Sequence, residues 1–182
     1  MKKAFFTLLI PQGHKFRLSR HAAQLSFIMA SLLVSLPVTG FAGDNEKPAQ
    51  FAFFEPWQVF DKDTSIGGFR FNLLYGYNKN VTGLDFGVVN RASGDVSGIE
   101  VGGVNMVEGN FTGWQSSVAN FTGGNFVGLQ TGFFNSTEKK MSGVQVGFFN
   151  VAGTLDGLQL GLLNFNNAGE PMKFCPVVNF SF

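Results

Sequence analysis

Histidine, cysteine and charge are all scarce in this chain of 182 residues. Charged side chains make up 14% of it, where about a quarter is usual for globular domains. Disordered segments are charge-rich and poor in aromatics, so 23 phenylalanines alongside so little charge exclude that class. The single cysteine, Cys175, has no partner in the chain for a disulfide, and no His/Cys cluster of zinc-ligand spacing exists. The two histidines, His14 and His21, both lie near the N-terminus. A run of about 20 apolar residues, the length needed to span a bilayer as a helix, is also missing. By contrast, 24 glycines argue against helices, because each glycine in a helix interior costs about 1 kcal/mol relative to alanine.

The N-terminus reads as a secretion leader over residues 1–42. Lys2, Lys3, Lys15, Arg17 and Arg20 precede a mostly apolar stretch from Leu25 to Val38, and Gly40-Phe41-Ala42 supplies small residues for cleavage after Ala42. No twin-arginine pair and no cysteine near the cleavage point mark a lipid anchor. Cleavage removes both histidines and leaves 8 basic against 12 acidic residues, a net charge of −4. So little basic charge excludes a nucleic-acid backbone as partner.

After a pre-repeat segment, residues 43–64, the remainder (65–182) repeats itself with a period of 15 residues. The unit reads x-Gly-apolar-(Gln/Asp/Glu)-x-Gly-x-x-Asn, with Ser117 at the second glycine in one copy. The lead glycines are Gly83, Gly98, Gly113, Gly128, Gly143 and Gly157, and seven residues after each stands Asn90, Asn105, Asn120, Asn135, Asn150 or Asn164. A degenerate upstream copy starts at Gly68, with Tyr75 at the asparagine position. A downstream copy runs from Met172 to Asn179, with Pro176 at the second glycine. The expected total is eight units.

Within each unit about ten residues alternate in character and about five are turn-like. In Leu158-Gln159-Leu160-Gly161-Leu162 one face is leucine and the other carries Gln and Gly, the period of a β-strand with two unlike environments. The fold class is therefore all-β, with one strand per repeat. The expected architecture is an antiparallel up-and-down β-barrel of eight strands. Eight is the smallest common closed barrel, and the alternating last strand ends on Phe182. The alternative is a β-solenoid with one coil per repeat, in which the asparagines stack as an amide ladder. Against the solenoid, Leu155, Leu158, Leu160 and Leu162 would crowd the interior of a 15-residue coil.

The unit Gly157-Leu158-Gln159-Leu160-Gly161-Leu162-Leu163-Asn164 resembles the bacterial surface repeat-containing protein family, as does the lead-in from Phe69 to Asn78. The resemblance covers Ser65 to Phe182. It implies an exported envelope or surface protein with no known activity, and it carries over no functional residues. Some members look like lipoproteins, from which the missing leader cysteine departs.

One column of the repeat is charged at its start: Arg70, Asp85 and Glu100, followed by Gln115, Gln130, Gln145 and Gln159. The two carboxylates form a candidate acid/base pair. A structural salt bridge in a polar row is the reading favoured here, because no nucleophile or imidazole accompanies them. Cys175 lacks a basic neighbourhood and reads as inert. Asp61-Lys62-Asp63, near Asp44, lacks the glycine and glutamate of a calcium loop, since Ile66 and Asn72 stand there. The hydroxyl column Thr82, Ser97, Thr112, Ser142 is broken by Val127 and Asp156. No catalytic, cofactor-binding or metal residue is assigned. The expected protein is a non-enzymatic outer-membrane or cell-surface structural or interaction protein, a small barrel with a narrow lumen. Its expected partners are the outer membrane of a Gram-negative-type bacterium and the barrel-assembly machinery, engaged through the strand ending at Phe182. The alternative is a soluble or surface-attached solenoid acting as a binding or adhesion module.

Overall fold

The computed structural model describes residues 46–54 and 57–182. The leader and Asp44 lie outside the described residues. Every regular element described is a strand: β1 (Lys47–Phe54), β2 (Trp57–Gln58), β3 (Ile66–Asn78), β4 (Val81–Ala92), β5 (Val96–Val107), β6 (Phe111–Thr122), β7 (Phe126–Asn166) and β8 (Phe174–Ser181). No helix of the described residues is long and apolar enough to cross a membrane.

Strands β3, β4, β5, β6 and β7 pair in parallel, each with the next. Val81 lies beside Val96, Val96 beside Phe111, and Phe111 beside Phe126. Successive units thus return to the same place travelling the same way. An up-and-down barrel needs antiparallel neighbours, so the barrel expectation is corrected: the fold is the alternative, a β-solenoid. Strand β7 runs unbroken for 41 residues because it bends through successive coils. The stacking continues within it, as Gln130 bonds Gln145 and Gln145 bonds Gln159.

The two ends differ from the middle, and both correct the eight-unit count. At the N-terminal end the pre-repeat segment supplies β1, which lies parallel on β3, with the short β2 folded antiparallel against it. At the C-terminal end β8 runs antiparallel to β7, with Leu158 beside Phe180 and Gln159 beside Asn179. The downstream copy is therefore a reversed closing strand and not a further coil.

The interior inverts the packing expected of a solenoid coil. In the coil that starts at Phe111, the inward side chains are Phe111, Gln115, Asn120 and Thr122, each at most 1% exposed. In the last coil Leu155 turns inward with Gln159 and Asn164, whereas Leu160 and Leu162 face out at 36% and 50% exposure. The crowding argument against a solenoid fails for this reason: the leucines of the alternating face stand outside, and amides fill the core. Apolar material inside is confined to flanking rows, chiefly Val81, Val96, Phe111, Phe126, Met141 and Leu155, in which the Phe111 and Phe126 rings stack 5.0 Å apart.

Candidate functional site

Two amide ladders run the length of the stack. In the asparagine ladder each Nδ2 donates to the next Oδ1: Asn90 to Asn105 at 3.0 Å, Asn105 to Asn120 at 3.1 Å, Asn120 to Asn135 at 2.9 Å and Asn135 to Asn150 at 2.9 Å. The second proton of the same group reaches a backbone carbonyl of the following coil, as from Asn120 to Thr131 at 2.7 Å. The glutamine ladder donates the opposite way. Gln159 donates to Gln145, Gln145 to Gln130, Gln130 to Gln115, and Gln115 to Glu100, all at 2.7–2.8 Å. The two rows of amide dipoles therefore oppose one another along the axis. Buried polar groups are tolerated only when satisfied, and a neighbouring coil with the same residue satisfies them from Asn90 to Asn164 and from Gln115 to Gln159.

A side chain at the second glycine of the unit would meet both the backbone of the preceding coil and the asparagine ladder; in the one copy with Ser117, its hydroxyl donates to Asn120 Oδ1 at 2.8 Å. A Cβ at Gly102 would lie 2.5 Å from Asn105 Oδ1, and one at Gly147 would lie 2.5 Å from Asn135 Nδ2. In β3 the two residues trade places across a register shift. Asn72 stands beside Gly87, Gly76 stands beside Asn90, and Asn72 Nδ2 donates to Asn90 at 2.8 Å. Tyr75, placed at the asparagine position by spacing, pairs instead with Val89. The ladders close on β8, where Asn164 donates to the Cys175 carbonyl and Asn179 donates to Gln159.

Arg70, Asp85 and Glu100 are brought together, each at most 1% exposed. Arg70 makes a paired contact with Asp85, Nε to Oδ1 at 2.8 Å and Nη2 to Oδ2, and its Nη2 lies 4.0 Å from Glu100 Oε1. Burial works against the charged guanidinium, but the facing Asp85 and Glu100 carboxylates outweigh it and raise the Arg70 pKa. Glu100 is pushed well above the usual carboxylate range, first by burial and then by the charge of Asp85, with Arg70 and the Gln115 amide opposing. Its Oε1 has no hydrogen-bond partner, and a proton on Glu100 supplies one by donating toward Asp85.

Glu100 therefore holds its proton more tightly folded than unfolded. Its contribution is fully present below the unfolded carboxyl value, about 4.3, and is lost as pH rises through the folded value. Glu100→Gln replaces the proton-dependent link with a permanent amide. Thermal unfolding across the acid-to-neutral range should show stability falling with pH in the wild type and falling less in the variant. Equal slopes would show that Glu100 does not titrate in this way.

The other sequence candidates stay apart. Cys175 is half-buried in β8 as a free thiol, and among the described residues no group of three His, Cys, Asp or Glu side chains is placed to hold a metal ion. The hydroxyl row Thr82, Ser97, Thr112 is in register but meets Val127, as expected. A third ladder was not read from the sequence. Asn80, Asp95 and Asn110 each accept, through Oδ1, the backbone N–H of the residue 15 further on. These residues read only as turn formers, and their recurrence at one phase of the repeat was the available signal.

The outward rows carry the remaining feature. Leu84, Ile99, Trp114 and Leu129 form one exposed row, and Val88, Val118, Phe133, Phe148 and Leu162 form another, interrupted by Gly103, with Phe133 and Phe148 stacked at 4.9 Å; the row between them, Phe86, Val101, Ser116, Thr131, Val146 and Leu160, carries two hydroxyls. Between each lead glycine and its ladder asparagine the ionisable residues are Asp85 and Glu100, and both point inward. Exposed apolar patches larger than a few hundred Å² mark interaction surfaces.

Fold and site together define the class: a β-solenoid whose core is a pair of amide ladders and whose outer wall is apolar. No family model, curated protein or solved structure matches this chain.

Proposed function

We propose that the chain is an exported, non-enzymatic solenoid that serves the cell envelope or surface as a structural and binding module. The observation that carries this reading is the inverted coil. The ladder amides and the Asp85 and Glu100 carboxylates are spent inside the stack, where substrate has no access to them. What faces outward between the turns is an uncharged apolar wall, suited to contact and not to chemistry. Export rests on the basic and apolar leader. The expectation of barrel-assembly machinery acting through Phe182 presupposed a barrel. Here the C-terminal strand closes the stack, and Phe182 itself is 96% exposed.

Fractionation of the host cell tests the reading. A processed chain lacking residues 1–42 should be recovered with the envelope and released by alkaline carbonate. An unprocessed chain in the cytoplasm would overturn it.

A further inference from the structure

We infer that the outward apolar wall is a self-association surface, on which a second copy of this chain packs face to face. This deepens the proposed binding role and rests on it.

Three observations select a second copy over other occupants. The first is size. Stacked at about 4.8 Å, six coils rise about 29 Å, and the five residues from Leu84 to Val88 extend about 16 Å. The wall is thus on the order of 500 Å² per copy, and a facing pair buries about 1,000 Å², the lower bound for a specific interface. The second is charge. The wall carries no outward ionisable residue in any coil, so two copies meet without like-charge repulsion or unpaired buried charge. The remaining acidic and basic side chains sit elsewhere in the unit, outside the wall, and include the pairs Arg91–Glu108 and Lys140–Asp156.

The third observation weighs against a bilayer. Interfacial binding to anionic lipid is supported by lysines and arginines flanking the apolar face. The row before this wall is Thr82, Ser97, Thr112, Val127, Ser142 and Asp156. The row beyond it holds one arginine, Arg91, paired with Glu108. The chain after Ala42 has a net charge of −4. A pleated face of mainly aliphatic and aromatic side chains is instead the surface on which a second sheet packs, at about 10 Å.

Sedimentation velocity of the chain lacking residues 1–42, over a dilution series from about 1 to 200 µM, tests the inference. The wild type should pass from monomer to dimer. Val88 and Val118 are 53% and 65% exposed, so V88D/V118D places charge on the wall without entering the core. This variant should remain monomeric with an unchanged circular dichroism spectrum, and V88S/V118S serves if the aspartates impair folding. K139E, in β7 outside the wall, should dimerise like the wild type. A wild type that is monomeric throughout overturns the inference, as does a dimer that survives V88D/V118D. A monomer that floats with vesicles of neutral and anionic phospholipid assigns the wall to lipid and overturns it too. Each of these results leaves the envelope location, tested separately by fractionation, standing or falling by itself.

Discussion

Arg70→Met should destabilise the solenoid by about 3–5 kcal/mol, the cost of removing one partner from a buried ion pair. Arg70 is fully buried and faces two carboxylates. Its Nη1 also donates to the Arg91 carbonyl at 2.9 Å. Methionine keeps most of the stem volume, so the loss reports the charge and its hydrogen bonds. Asp85 would then stand without its paired cation, beside Glu100 in a buried column. Urea unfolding at neutral pH measures the loss. Replacing the whole cluster, R70M/D85L/E100L, should recover part of the stability, because a charge-free core of similar volume is often no worse than a buried ion pair. A loss under about 1 kcal/mol for R70M, the range of an exposed pair, would mean that water reaches this cluster.

Gly113→Ala should be comparably damaging for a reason of backbone geometry. Gly113 has φ of 132°, and a Cβ there would lie 2.0 Å from the Gly98 carbonyl oxygen of the preceding coil. The conformation alone costs a non-glycine residue on the order of 1–3 kcal/mol. Relief of the contact requires the two coils to part, which stretches the Gln115–Glu100 and Asn105–Asn120 bonds on either side. A solenoid is held together by nearest-neighbour interfaces, so one weakened interface divides the array. Thermal unfolding should fall by many degrees, and limited proteolysis should cut near residue 110. The neighbouring Thr112→Ala, on an exposed side chain, should change stability by no more than about 0.5 kcal/mol. If Gly113→Ala melts like Thr112→Ala, the close approach of the coils along the glycine row is wrong.

Much was legible without a structure. The period of 15, the all-β class, the recurring Gly and Asn positions and the adjacency of Arg70, Asp85 and Glu100 all follow from residues recurring at one phase. Equal phase means equal environment in any repeat fold. The candidate acid/base pair is accordingly the buried salt-bridged cluster that the structural reading favoured. The uniform sense of the units was legible too, and it favours coils over hairpins. Strand count and the C-terminal Phe182 point the other way, and both reflect the ends of the stack: β8 is a reversed cap, and the first unit carries a register shift that displaces Tyr75.

Which face turns inward was decided by the tertiary structure. Alternation in Leu158-Gln159-Leu160 announces two faces but carries no label for the inner one, and the usual assignment of leucine to the core assumes that a buried amide has no partner. A glutamine in one strand cannot satisfy itself. Stacked against an identical glutamine one coil away it can, as Gln145 does between Gln130 and Gln159. That partner becomes visible when the coils are laid on one another, and it lets this chain bury its amides and leave its leucines outside.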